Sequence, residues 1–312
     1  MRMNENEKIV LFGAGKMARK YFYNLRKYYD IVAVIDNNKD LIGKQFKKNI
    51  PIIGLDDYVA KYRGCDILIT MMKYEEVKEQ LEKIGIKNFY VSADMFVSED
   101  VPRDELINHD NWRKYLQEQF DIENKEILEV GSRNVVGGIT RNLFSKANYT
   151  GFDYYEGENV DVVGDAHELS KYFDKKFDLI FSSAVFEHLA MPWKVSTEII
   201  KLLKPGGCVF IETHYSYTSH ERPWHFFQFS ENALDVLFPE KFGMKCLRKG
   251  CSNLVEGQFS KKYASEYLQG MIVPGLYCHS EYLGQKQKEV DDLSWDRICL
   301  EDVVGATKYP SK

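Results

Sequence analysis

The feature that most limits how this chain can fold is an opening that occurs twice. Each time a short apolar strand runs into a glycine turn and then into a helix. The first is Lys8–Phe12 (KIVLF), followed by Gly13-Ala14-Gly15 and a helical stretch from Lys16 to Tyr28. The second is Ile127–Val130, a glycine-containing turn at Gly131–Gly138, and an expected helix to about Ala147. Further strands are expected after each opening. In the first half they are Ile31–Ile35, Ile67–Thr70 and Phe89–Val91, with an amphipathic helix at Glu75–Lys83. In the second half they are Tyr149–Asp153, Val160–Val163, Phe177–Ser182 and Cys208–Thr213, with a helix from about Trp193 to Leu203 stopped by Lys204-Pro205-Gly206-Gly207. Two late strands are expected at Gly243–Arg248 and Leu276–Tyr282. Strands that alternate with helices call for right-handed crossovers and a parallel sheet. The fold class is therefore α/β, with two doubly wound Rossmann-like domains in series.

At 312 residues the chain is long enough for about two domains that each bury a core. The expected divisions are a nucleotide-binding module at 1–98, a connector with a docking helix at 99–124, and a second domain with a C-terminal extension at 125–312. The connector stands out by its charge, by Pro102, and by a helical stretch at Trp112–Phe120. No apolar run approaches the ~20 residues of a membrane helix. The segment Met1–Lys8 lacks the apolar core of a secretory signal, so a cytoplasmic protein is expected.

Charge narrows the partners. Residues 1–100 carry 17 Lys+Arg against 15 Asp+Glu, and the remainder 25 against 32. Neither half is basic enough to suggest a nucleic-acid backbone as main partner, so nucleic acid is not expected. The six cysteines are widely spaced and read as reduced thiols. Cys246 and Cys251 lack two further zinc ligands at fitting spacing, and no metal is expected.

Ligands of open α/β sheets bind at the carboxyl ends of the parallel strands. In the second half those ends carry Glu129, Gly131 and Ser132, then Asp153 and Tyr154, then Asp165 and Ala166, then Ser182 and Ser183 with His188 just beyond, and finally Glu212-Thr213-His214. Gly131 allows close backbone approach to a ligand. Asp153 can accept both hydroxyls of a ribose, and Asp165 can accept from an exocyclic amine. Three histidines, His214, His220 and His225, fall within twelve residues among aromatics. Histidine suits base chemistry near neutral pH, which makes His220 and His225, with His188, the candidate catalytic residues.

The segments EILEVGS, YTGFDYYEG, VDVVGDAHEL, FDLIFSSAVFEHL and LLKPGGCVFIETH together resemble a class I S-adenosylmethionine-dependent methyltransferase of the type that includes small-molecule and sugar methyltransferases. The resemblance covers residues 125–250. It implies that Glu129 and Gly131 flank the methionine part of S-adenosylmethionine. It also implies that Asp153 holds the ribose, Asp165 the adenine amine, and main-chain groups near Ser182–Ser183 the ammonium. One departure stands in the loop after the first strand, where Ser132 and Arg133 replace the usual alternate glycines.

In the first half, Gly13-Ala14-Gly15-Lys16-Met17-Ala18 fits G-x-G-x-x-A, and Asp36 ends the next strand 21 residues after Gly15. This is a dinucleotide fingerprint in its proper context, with a pyrophosphate at the helix start and a ribose on Asp36. The same glycines also suit a tight turn with no ligand. The longer run resembles Rossmann-like modules found ahead of sugar acyltransferases and other enzymes of surface-glycan assembly, which implies a nucleotide or nucleotide-sugar. The reading is a methyltransferase acting on a hydroxyl or amine of a sugar, nucleotide-sugar or related small metabolite, with a homo-oligomer allowed. Its rivals are a nicotinamide-dependent oxidoreductase working through Gly13, Gly15 and Asp36, and a catalytically silent cofactor-binding protein.

Overall fold

The computed structural model describes residues 8–72, 74–91, 96–135, 137 and 140–304. The segment read for a secretory signal, apart from Lys8, and Val136 and Gly138 of the glycine turn lie outside these residues. The described chain forms two compact units, residues 1–100 with Leu254–Leu276, and residues 101–253 with 277–312. The second domain expected at 125–312 therefore starts earlier, at the connector, and is interrupted by a segment that groups with the first unit. Among the described residues no helix is long and apolar enough to cross a membrane.

The first unit opens with β1 (Lys8–Phe12), α1 (Lys16–Leu25) and β2 (Asp30–Ile35). It continues with β3 (Gln45–Lys47), β4 (Ile50–Ile53), α2 (Leu55–Lys61), β5 (Asp66–Ile69), α3 (Tyr74–Lys83) and β6 (Phe89–Val91). The sheet order is β3-β4-β2-β1-β5-β6. All pairings are parallel except β3 with β4. Alternate residues of β1 serve the two faces. Ile9 and Leu11 pack with Ala18, Phe22 and Leu25 of α1, while Val10 and Phe12 pack with Tyr58 of α2 and Val77 and Leu81 of α3. Helices thus cover both faces, as a buried parallel sheet requires. The hairpin β3–β4 and helix α2 were not anticipated, because three- and four-residue strands carry little periodicity.

The second unit begins with α4 (Trp112–Phe120), β7 (Glu126–Val130), β8 (Asn148–Asp153), β9 (Val162–Val163) and β10 (Phe177–Ser183). Then come α5 (Pro192–Leu202), β11 (Leu203–His214), α6 (Glu231–Leu237) and β12 (Met244–Leu254). The strands β13 (Gly257–Gln258) and β14 (Ile272–Val273) pair antiparallel within the segment that groups with the first unit. The chain re-enters the second unit with β15 (Tyr277–Lys286) and ends its described part at α7 (Leu300–Val304). The sheet order is β12-β15-β11-β10-β7-β8-β9, with β15 antiparallel to β11. The central strand β10 is apolar from Leu179 to Phe181, and its alternate residues feed two cores. Ile180 packs toward Val195, Ile199 and Leu234 of α5 and α6. Leu179 and Phe181 pack toward Trp112 and Leu116 of α4. Trp112 stacks on Phe210 with ring centroids 5.1 Å apart, so the connector helix is part of this core.

Two local differences from the sequence reading have physical causes. The helix expected to reach Ala147 is only a short 3-10 turn at Thr140–Leu143. Its neighbourhood is polar and ties itself down by side chains, with Asn134 Oδ1 accepting from Gly137 N at 2.9 Å and Arg141 donating to Asn159 and Asp161. Strand β11 starts at Leu203 rather than Cys208. Helix α5 does stop before Lys204-Pro205-Gly206-Gly207, and the left-handed Gly206 (φ 83°) carries this stretch within the strand through a register shift against β10.

Candidate functional site

The strand order in the second unit reverses between β7 and β10, and a cavity of about 970 Å³ opens at their carboxyl ends. Gly131 ends β7 with φ 87°, a left-handed conformation that glycine adopts without strain. A Cβ there would meet Val185 Cγ2 at 2.1 Å, so the backbone passes hard against the segment after β10. In the first unit the order reverses between β1 and β5, and Gly13 (φ 104°) there lies near Thr70 and Met71.

One half of the cavity is acidic. Glu129 is buried and accepts a short hydrogen bond from the Tyr149 hydroxyl and a longer one from Asn159 Nδ2 at 3.4 Å. Burial pushes its carboxyl above the ordinary value against those bonds. Asp153 ends β8 and is held in place by the main chain, accepting from Arg133 N at 3.1 Å and Tyr155 N at 3.0 Å. Arg133 Nε lies 3.6 Å from the same carboxylate. Asp165 follows β9 and accepts from His167 N at 2.9 Å through Oδ1. Burial would raise its carboxyl, but the bonds from His167 outweigh it and hold it below the ordinary value. Ser132 is buried, and its Oγ has no hydrogen-bond partner among the described residues. Tyr154, Ala166 and Ser183 line the same cavity. Ser182 does not. Its Oγ donates to Val130 O at 2.8 Å and joins β10 to β7.

The other half is dominated by imidazoles. Six of the seven histidines in the chain line the cavity: His109, His167, His188, His214, His220 and His279. The seventh, His225, does not line it. Its ring packs 4.7 Å from that of His220 and 5.9 Å from that of His188, and burial lowers its proton affinity. It is a buttress for the two histidines grouped with it in the sequence reading. His188 donates from Nδ1 to Trp224 O at 2.9 Å. His214 Nδ1 stands 2.8 Å from Oε1 of the fully buried Glu187, which Thr213 also contacts at 2.6 Å. His109 hydrogen-bonds Glu212, which raises the proton affinity of the imidazole against its partial burial. His109 also stacks on His279, at 4.1 Å between centroids. Burial pushes His279 down to about 4.

The sequence places Glu212 and His214 at a strand end but gives them no role of their own, and it gives none to His109, Glu187 and His279 either. Glu212 and His214 end β11, where the strand-end rule that finds Asp153 also puts them. His109 and His279 lie in a connector and a late strand, and no local pattern joins them. Their signal was scarcity, since a chain with seven histidines places nearly all of them on one cavity.

In the first unit, Gly13, Gly15 and Asp36 do come together. Asp36 Oδ2 accepts from Ala14 N at 2.7 Å and Oδ1 from Asn38 N at 2.8 Å. The carboxylate thus ties down the glycine turn itself.

Comparison with known proteins agrees with this division. Residues 5–91 match the family described as C2185-like, N-terminal, and residues 128–211 match the methyltransferase domain family. The tRNA U34 carboxymethyltransferase of Nautilia profundicola is 26% identical over 220 residues, covering 64% of this chain and 66% of that protein. The tRNA U34 carboxymethyltransferase of Campylobacter curvus is 25% identical over 132 residues, covering 36% of this chain and 44% of that one. The chain thus spans less than two thirds of the length of either relative. The solved structure of the YcgJ protein from Bacillus subtilis aligns with 57% of this chain and 98% of its own at 16% identity, with a TM-score of 0.40. The second unit is an S-adenosylmethionine-dependent methyltransferase domain.

The relatives also correct the expectation that no nucleic acid is involved, since both are named for tRNA. Net charge was the wrong guide. It sums over the whole surface, whereas a nucleotide that enters a cavity is met by the few side chains lining it.

Proposed function

We propose that the second unit transfers the methyl group of S-adenosylmethionine to a hydroxyl or amine of an acceptor that enters over the histidine half of the cavity. The observation that carries this reading is the acidic series along three adjacent strands. Glu129, Asp153 and Asp165 stand at the ends of β7, β8 and β9 and all line one cavity.

The residues fit the cofactor. Asp153 would accept the two ribose hydroxyls with the lone pairs left beside its two main-chain bonds. Asp165 would accept the adenine amine through Oδ2, since His167 takes only Oδ1 among the described residues. The unpartnered Ser132 Oγ supplies a further polar contact in the same half. Bound there, S-adenosylmethionine supplies an electrophilic methyl on a sulfonium. The protein's part is then orientation, exclusion of water and removal of the acceptor proton. His220 and His188 line the cavity and are placed to take that proton, with Trp224 and Tyr217 as aromatic cover.

The names of the two relatives put tRNA first among acceptors to be tried. A sugar or nucleotide-sugar comes second, supported by the Rossmann-like arrangement of the first unit, with helices on both faces of a parallel sheet and a glycine turn opening α1. The test is transfer of labelled methyl from S-adenosylmethionine to bulk tRNA and, separately, to a panel of nucleotide-sugars. Label in either acceptor, lost in Asp153→Ala, supports the reading. Binding of S-adenosylmethionine with no transfer to any hydroxyl or amine acceptor would favour a silent binding protein instead.

A further inference from the structure

The histidine half of the cavity holds more imidazole than one proton transfer requires. We propose that His214, Cys278 and His279 bind a divalent transition-metal ion of the zinc type, with its remaining position open to the cavity.

The three donor atoms lie within 4.8 Å of one another. Cys278 Sγ is 3.7 Å from His279 Nε2. A tetrahedral ion with Zn–S of ~2.3 Å and Zn–N of ~2.05 Å would hold those atoms about 3.6 Å apart. The strand order accounts for the convergence. His214 ends β11, and Cys278 and His279 begin its antiparallel neighbour β15, so residues 64 or more apart in sequence meet at one sheet end. The Cα of His214 is paired directly with that of His279.

A polar group stands behind each imidazole. Glu187 Oε1 stands 2.8 Å from His214 Nδ1, and Asn253 Nδ2 lies 3.0 Å from His279 Nδ1. With Nδ1–H of His214 turned to Glu187, and the Asn253 amide turned so that its oxygen accepts from Nδ1–H of His279, both imidazoles would present Nε2 as the ligand atom, the arrangement in which a group behind the ring fixes its orientation. A thiolate with two imidazoles selects soft or borderline ions over magnesium or calcium. Two other groupings are close enough to hold an ion, but in each the carboxylate is already engaged. In one, His109 is hydrogen-bonded to Glu212. In the other, Glu187 is engaged by His214 and Thr213. All three proposed ligands line the cavity, so the fourth ligand comes from its contents. The absence of any metal-binding spacing in the sequence is no objection, because these ligands are brought together by sheet pairing and not by a local motif.

Binding of the ion stands on these side chains alone. Only its use, to polarise an acceptor hydroxyl, rests on the methyl-transfer reading. The test is made on the full chain without a polyhistidine tag, stripped with chelator and dialysed against Zn²⁺ or Co²⁺. The proposal expects one ion per chain, and for Co²⁺ a thiolate-to-metal charge-transfer band with intense tetrahedral d–d absorption. Cys278→Ser should abolish the charge-transfer band, and His279→Gln should abolish stoichiometric binding. Glu187→Gln should weaken binding by about 10–100-fold, and His109→Gln should leave it unchanged. S-adenosylmethionine binding, measured on each variant, reports whether the unit is folded and separates failure of the metal site from failure of the methyltransferase reading. An unmetallated wild type, binding that survives Cys278→Ser with its spectrum intact, or loss of binding in His109→Gln would each overturn the assignment.

Discussion

Replacing Gly131 by alanine probes the close approach on which the cofactor half of the cavity is built. Two costs can be worked out separately. A φ of 87° puts alanine in the left-handed region, at ~1–2 kcal/mol. The new methyl would also stand 2.1 Å from Val185 Cγ2. No contact of that length survives, so the segment after β10 must shift, and such overpacking costs ~1–3 kcal/mol. Together they predict about 2–5 kcal/mol, and at ~2–4 °C per kcal/mol the second unit should lose roughly 5–20 °C of Tm. The assay is unusually clean because all four tryptophans, Trp112, Trp193, Trp224 and Trp295, lie in this unit. Thermal unfolding followed by tryptophan fluorescence therefore reads it alone. The second cost is removable. Adding Val185→Ala to Gly131→Ala should recover ~1–3 kcal/mol, a coupling that independent sites would not show. A Gly131→Ala protein within ~2 °C of wild type, or a double variant equal to the sum of the singles, would refute the reasoning.

Two further predictions concern carboxylates with known partners. Asp178 accepts from Lys125 Nζ at 2.9 Å, Lys204 Nζ at 2.6 Å and Glu126 N at 2.9 Å, and these bonds hold its carboxyl below the ordinary value despite burial. A depressed folded value contributes stability that is present above the unfolded value of 3.8 and lost as pH falls through the folded one. Asp178→Asn should therefore cost about 1–3 kcal/mol near pH 7 by urea unfolding, and the gap should close below pH 3.8. A gap independent of pH would contradict this. In the first unit, Asp36→Ala removes the acceptor for Ala14 N and Asn38 N and should speed amide exchange in the Gly13–Lys16 turn by roughly 30-fold, equivalent to about 2 kcal/mol. Unchanged exchange would show that the turn holds itself.

How much of this was legible in the sequence depends on the range of the pattern. The strand ends were legible because the apolar residues of β7, β8 and β10 give way to Gly131, Asp153 and Ser182-Ser183. Glu129 and Asp153 fall at the ends of β7 and β8, Asp165 follows the short β9, and all three line the cavity. The place of Ser182 was not legible, because adjacent residues on a strand point to opposite faces and Ser183 takes the cavity side. His225 misled for a similar reason. Its spacing to His220 put it near the site, but the turn between them sets its ring 4.7 Å from that of His220, and only His220 lines the cavity. The pairing of His214 with Cys278 and His279 depends on β15 running antiparallel to β11, which no local signal specifies. The hydrogen-bonded cluster of Glu129, Tyr149 and Asn159 likewise joins residues 10 to 30 apart that carry no motif in common. The interruption at Leu254–Leu276 lies between two strands of the same sheet, and a linear reading of domains cannot anticipate it.

The most direct test of the account is calorimetric titration of S-adenosylmethionine into the wild-type protein and into Asp153→Ala, with NAD and Asp36→Ala as the parallel pair. The account predicts S-adenosylmethionine binding at a Kd on the order of micromolar, about −8 kcal/mol, that is lost in Asp153→Ala and kept in Asp36→Ala. No binding by the wild type, or binding that Asp153→Ala leaves intact while NAD binding disappears in Asp36→Ala, would contradict it and move the chemistry to the first unit.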